Sequence, residues 1–213
     1  MNRIRCSLPG VMVAALLVAA TPVFAGPPLL CFPFDTAGAQ SLPMGAGGWK
    51  EIDRKYDVSR LTTDTLALLM PATPVVARME TIRRATIYAS THPREADELL
   101  ARLKSRAAVS DAGAASAVFD FGYLVETYQQ ASFMFTSPVK GLDAIDGYQL
   151  VLKAAGLLND PAMQFAAAVI TQGQPIRRAE YHDHLMRAIA AATTDAALRA
   201  SVQKHFGSAG ALR

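Results

Sequence analysis

Residues Arg177 to Arg187 read RRAEYHDHLMR, two histidines interleaved with acids. These are residue types that ligate transition metals or move protons. On a helix, residues two apart point about 200° away from each other, so His182 and His184 cannot grip one ion. The chelating spacing is i, i+4, as in Glu180/His184, and two ligands are too few for a metal centre. The period places His182 with Ala179, Met186 and Ile189 on an apolar face, and His184 with Arg177, Glu180 and Arg187 on a polar one. The expectation is a solvated face with one half-buried histidine, and neither a metal nor another cofactor.

A second reactive type is Cys31, in GPPLLCFPFD. A catalytic thiol needs a basic neighbour to lower its pKa. Leu30, Phe32, Pro33 and Phe34 would raise it instead, and His92, His182, His184 and His205 lie far along the chain. The readings are, in order, a small apolar residue packed in its segment, an intermolecular disulfide giving a Cys31-linked dimer, and catalysis.

Aromatic side chains form a third group: Phe119, Phe121, Tyr123, Tyr128, Phe133 and Phe135. In one helix Phe119 and Phe121 face apart, so the aromatics ring it, as on a helix buried among neighbours. Phe133, Met134 and Phe135 fall in a loop predicted within Ala131–Gly141, where exposed apolar residues point to binding. No phosphate loop, G-x-S-x-G, H-E-x-x-H, C-x-x-C-H or glycine-rich dinucleotide fingerprint occurs.

The elements that must position these residues begin with an export signal. Arg3 and Arg5 precede an apolar run from Val11 to Ala20, and Val23-Phe24-Ala25 offers small residues for cleavage after Ala25. The apolar run is short for a membrane span of about 20 residues. The mature chain is expected in the periplasm or outside the cell, with no integral membrane span. Loss of Arg3 and Arg5 takes the 21 basic residues to 19, against 18 acids. That near-neutral balance excludes a nucleic-acid footprint. Cys6 leaves with the signal, so Cys31 has no intramolecular partner.

Residues 26–48 carry prolines at 27, 28, 33 and 43 and several glycines, which block helix and central strand alike. This segment reads as an extended strap, followed by one domain over 49–213. Leu29, Leu30, Phe32 and Phe34 are predicted to anchor the strap in an apolar groove. Burying each gains about 1.5–3 kcal/mol, against roughly 1–2 kcal/mol per ordered backbone residue. The balance falls near zero.

From Trp49 onward the period is helical. Val75, Met79, Ile82 and Ala89 mark one helix. Pro93 opens the next, with Ala96, Leu99, Leu100 and Leu103 on its buried face. Asp111 can cap a helix running to about Ala131. Ile145, Tyr148, Leu152 and Ala155 mark another, ending at Asn159. Asp160-Pro161 is an N-cap followed by proline at N1. Two more run from about Pro175 to Ala192 and from Asp195 to Phe206, and no period-two strand is present.

Pro93 and Pro161, 68 residues apart, and Asp195, 34 further on, each open the second helix of a predicted helix pair. In period and hairpin layout, residues 58–207 resemble tetratricopeptide-type α-solenoids, whose repeat is 34 residues. The midpoint Thr127 falls inside a predicted helix, and the family's W–LG–Y…A–F…P pattern is missing. The fold class read from the sequence is all-α, an array of antiparallel helical hairpins with an extended N-terminal strap. The expected function is an exported, non-catalytic interaction or scaffold protein with a protein or peptide partner, bound through Leu29, Leu30, Cys31, Phe32, Phe34, Phe133 and Phe135. The alternative is a secreted enzyme with dispersed catalytic groups that uses Cys31.

Overall fold

The computed structural model describes residues 28–109, 114–135 and 142–207. The export signal through Ala25, the Asp111 cap and the loop beyond Phe135 lie outside these. Among the described residues the fold is all-helical: α1 Pro28–Cys31, α2 Leu61–Leu68, α3 Val75–Ala89, α4 Pro93–Ala107, α5 Ala114–Ser132, α6 Gly147–Leu158, α7 Pro161–Thr171, α8 Arg178–Ala192 and α9 Ala196–Phe206. None of these helices is long and apolar enough to cross a membrane.

The local signals act as the sequence predicts at most helix ends. Pro93 opens α4 and Pro161 opens α7, positions where a missing backbone N–H costs nothing. Asp146, Asp160 and Asp195 cap α6, α7 and α9 by accepting from the N–H of Gln149, Ala162 and Leu198. Asn159 ends α6 at φ 48°, a left-handed conformation that asparagine tolerates. Helix α2, preceded by a 3-10 turn over Val58–Arg60, is one for which the sequence period marks no single helix. Its sequence LTTDTLAL is rich in β-branched threonine, which weakens the helical signal.

Two helices are buried on most sides. One is α5, where Phe119, Phe121, Tyr123 and Tyr128 face different neighbours yet are all buried. The other is α3, whose buried residues include Arg78, Glu80 and Arg83. By contrast α4 buries Ala96, Leu99 and Leu103, with Leu100 only half-buried, and turns its charges to solvent.

The most extensive helix pairs are α5 with α6 and α7 with α8. That is one helix out of step with the pairs the 34-residue spacing implies. At the α5–α6 crossing, Gly122 and Gly147 bring the two backbones together. A Cβ on Gly122 would lie 2.7 Å from the Gly147 carbonyl oxygen. The strap is not wholly extended, because its first residues coil into the single turn of α1, which touches α3, α5 and α7.

Candidate functional site: the seat of the strap

A segment with no strand ladder must find partners for its backbone elsewhere. Here they come mainly from α3. Arg83 donates to the carbonyl oxygens of Leu30 and Trp49, both at 3.0 Å. Glu80 Oε2 accepts from the Phe34 N–H at 2.9 Å. Arg84 donates to the Leu42 carbonyl. The Tyr88 hydroxyl donates to the Pro43 carbonyl at 2.9 Å and accepts from the Asp53 N–H at 3.0 Å. From α5, Gln130 Oε1 accepts from the Leu29 N–H at 3.0 Å.

The charges behind these contacts form a buried group on one helix. Glu80 Oε2 accepts from Arg83 Nε at 2.7 Å, and Oε1 accepts from Arg83 Nη2 at 2.8 Å and Arg84 Nε at 2.6 Å. Burial pushes the Glu80 carboxyl up, but Arg83, Arg84 and the Phe34 N–H outweigh it and hold it below the usual carboxylate range. Such a group is costly to bury, and it recovers that cost only when every lone pair is used. Glu80 meets this condition. The seat therefore adds charge-assisted hydrogen bonds to the apolar anchoring expected from the sequence, and the near-zero balance moves toward firm docking.

The sequence-predicted site residues divide. Leu29, Leu30 and Phe34 are buried as anchors, while Cys31 and Phe32 are half-buried. The Phe34 ring stacks on His205 of α9 with centroids 4.4 Å apart and meets Phe165 of α7 edge-on at 6.0 Å. Leu30 lies in a small cluster with Ile87 and Ala131, against which Trp49 and Phe135 pack. Phe135 and Trp49 meet at 6.5 Å. Strap and C-terminal end of α5 are thus brought together. Phe133, at the same corner, is 86 % exposed, and Met134 beside it is 39 % exposed.

Cys31 is a free thiol. Burial raises its pKa, and Arg83 only partly offsets that. Among the described residues neither a histidine nor an acid hydrogen-bonds to it. A thiol in this setting is not activated for nucleophilic attack.

The face assignment of the two histidines in α8 is corrected. His184 is buried and His182 is exposed. His184 Nε2 accepts from the Tyr148 hydroxyl of α6 at 2.7 Å, and Nδ1 donates to Gln164 Oε1 of α7 at 2.8 Å. Because Gln164 Oε1 can only accept, the proton sits on Nδ1. Burial lowers the His184 pKa, with the charge of Arg187 acting the same way. Glu126 of α5 accepts from the Tyr148 N–H at 2.7 Å, and the Arg177 guanidinium lies 4.3 Å over the Tyr148 ring. This network ties α5 to α8.

Sequence reasoning missed Glu80, Arg83 and Arg84. The signal available was VVARMETIRRATIYA, a helix with charges at 78, 80, 83 and 84 that lie on more than one face. A helix of that length with no continuous polar stripe has to bury some of its charges. No family model, no curated protein and no solved structure matches this chain.

Proposed function

We propose that the protein is an exported, non-catalytic interaction module, released after cleavage behind Ala25. In this reading its helices form an α-solenoid-like array of antiparallel pairs, with the strap filling the array's own groove. The partner is a protein or peptide, and it docks on the corner at the end of α5 beside the strap.

The observation that carries this reading is Phe133, 86 % exposed on a supported corner. Its neighbours are not loose: Phe135 packs on Trp49, and both rest on the cluster of Leu30, Ile87 and Ala131. A large aromatic side chain held in water on a fixed base gives contact area at little entropic cost, as binding hot spots do. The array is supported by contacts between successive helices from α4 onward, between α3 and α5 and between α7 and α9, whereas the contact of α3 with α7 reaches beyond nearest neighbours. The strap anchors Leu29, Leu30 and Phe34 are sequestered, so the partner surface narrows to Phe133, Met134 and the half-buried Phe32, Cys31 and Phe135.

The test is site-specific photo-crosslinking in the organism's own envelope. A photoreactive phenylalanine analogue at Phe133 should give a discrete adduct, with and without reductant. The same analogue at Arg102, on the solvent face of α4, should not. Equal adducts at both positions, or none at Phe133, would remove the corner as a docking surface.

A further inference from the structure

His205 belongs to the strap seat, yet none of the bonds that hold the strap backbone uses it. Its ring is buried, stacked on Phe34 at 4.4 Å and met edge-on by Phe165 at 5.5 Å and Phe32 at 6.4 Å. Nε2 is buried with no hydrogen-bond partner among the described residues. The charges that act on it are Lys204 of α9 and Glu80 and Arg83 of α3. Glu80 is the acid among them, and both its oxygens are already engaged by Arg83, Arg84 and the Phe34 N–H. A proton on this imidazole would enter an aromatic enclosure that the charges of Lys204 and Arg83 already oppose, and among the described residues Nε2 has no acceptor for a new N–H.

We propose that His205 is a proton-operated latch: acidification releases the strap, from Pro28 to Pro43, from its seat. The docked state tolerates only the neutral ring. Burial holds the imidazole down to about 4, with Lys204 and Arg83 acting the same way and Glu80 against them. Released into water, the ring returns to about 6.5. A base whose pKa is lowered in the docked state costs that state stability as pH falls through this window. The docking equilibrium therefore drops by up to tenfold per pH unit, roughly 80-fold from pH 6.5 to 4. The other buried histidine, His184, is bonded to Tyr148 and Gln164 rather than to the strap. It serves as the control.

The experiment follows two reporters on the full mature chain between pH 7.5 and 4. Trp49 is the only tryptophan, its carbonyl is bonded by Arg83, and its ring meets Phe135, so its emission reports on the seat. Cys31 is followed with 4,4′-dithiodipyridine, which reacts in acid. Expected are a Trp49 emission shift and faster Cys31 labelling on acidification, with most far-UV helix signal retained. His205→Phe keeps the aromatic packing and should cut the acid-induced acceleration at least tenfold, while His184→Asn should not. An unchanged acid response in His205→Phe, or no response in the wild type down to pH 4, overturns the latch. NMR of the wild-type imidazole gives a reading independent of the variant's folding. A His205 ring that titrates near 6.5 with Trp49 undisturbed overturns it equally.

Discussion

Arg83 donates to the Leu30 carbonyl oxygen at 3.0 Å while Glu80 holds the same guanidinium at 2.7 and 2.8 Å. One buried side chain thus joins helix α3 to a residue 53 positions earlier. The strap is fixed through its backbone, and its apolar side chains add to a docking that charge has already oriented.

The first prediction tests that division. Arg83→Met strips Glu80 of its main partner and leaves a buried carboxylate short of donors, so it should cost about 3–5 kcal/mol in urea denaturation. Glu80→Gln/Arg83→Met together should cost clearly less, because no unpaired charge remains. Arg83→Lys should rescue poorly. A single ammonium cannot span Glu80, Leu30 and Trp49 as the fork of a guanidinium does. A single-variant loss under 1 kcal/mol would show that the pair does not hold the strap.

A second prediction concerns pH and Asp120. This carboxyl is fully buried against Arg78, at 2.8 Å. Burial pushes it up to about 6 against the pull of Arg78 and Arg106. An acid raised in the folded state binds its proton more tightly there than when unfolded, so folding gains stability as pH falls from about 6 toward 4. Wild type should gain about 2–3 kcal/mol relative to Asp120→Asn between pH 7 and pH 4. Parallel stability curves for the two proteins would mean that Asp120 keeps an ordinary pKa.

The α5–α6 crossing gives the third. Gly122→Ala sets a Cβ 2.7 Å from the Gly147 carbonyl oxygen and the Leu150 Cβ, so the helices must separate. Overpacking of this kind costs about 1–3 kcal/mol. Gly156→Ala lies in the same α6 with open space around the new methyl group, and should stabilise by about 0.5–1 kcal/mol. Thermal denaturation should move Tm in opposite directions for the two variants. Shifts of the same sign would mean that the crossing is not this close.

The two histidines of α8 supply the fourth. His184→Ala leaves the Tyr148 hydroxyl and Gln164 without their shared partner and should cost about 1–3 kcal/mol. His182→Ala, on the exposed side, should stay within about 0.5 kcal/mol. Equal effects would return the question of which face is buried.

These positions also show what could be read from the sequence. Helix starts were legible wherever a local group sets them, as at Pro93, Asp160-Pro161 and Asp195. The buried face of α8 was not. Its small apolar residues surround the helix, so two stripes of similar strength compete, and packing against α7 selects Leu185, Ala188 and Ile189 while leaving Met186 49 % exposed. The strap anchors could be found because large apolar side chains among prolines have no use in water. Their seat could not, because the pairing of Arg83 with Leu30 and Trp49 depends on three-dimensional proximity and leaves no periodic trace.

The final prediction separates the anchors of the strap. Phe34 is 3 % exposed, stacks on His205 and has its N–H held by Glu80, whereas Phe32 is half-buried. Removing a buried phenylalanine forfeits about 1.5–3 kcal/mol of apolar burial and leaves a cavity besides. Phe34→Ser should therefore raise the population of open strap by at least tenfold at neutral pH. Phe32→Ser should do so several-fold less. Cys31, between the two anchors Leu30 and Phe34, is the reporter, and its labelling rate under native conditions tracks the open population. Wild type should label well below the rate of a free thiol, Phe34→Ser much faster, and Phe32→Ser in between. If Cys31 reacts at the free-thiol rate in all three proteins, the strap is not docked in solution, and neither the charge seat nor the latch can operate.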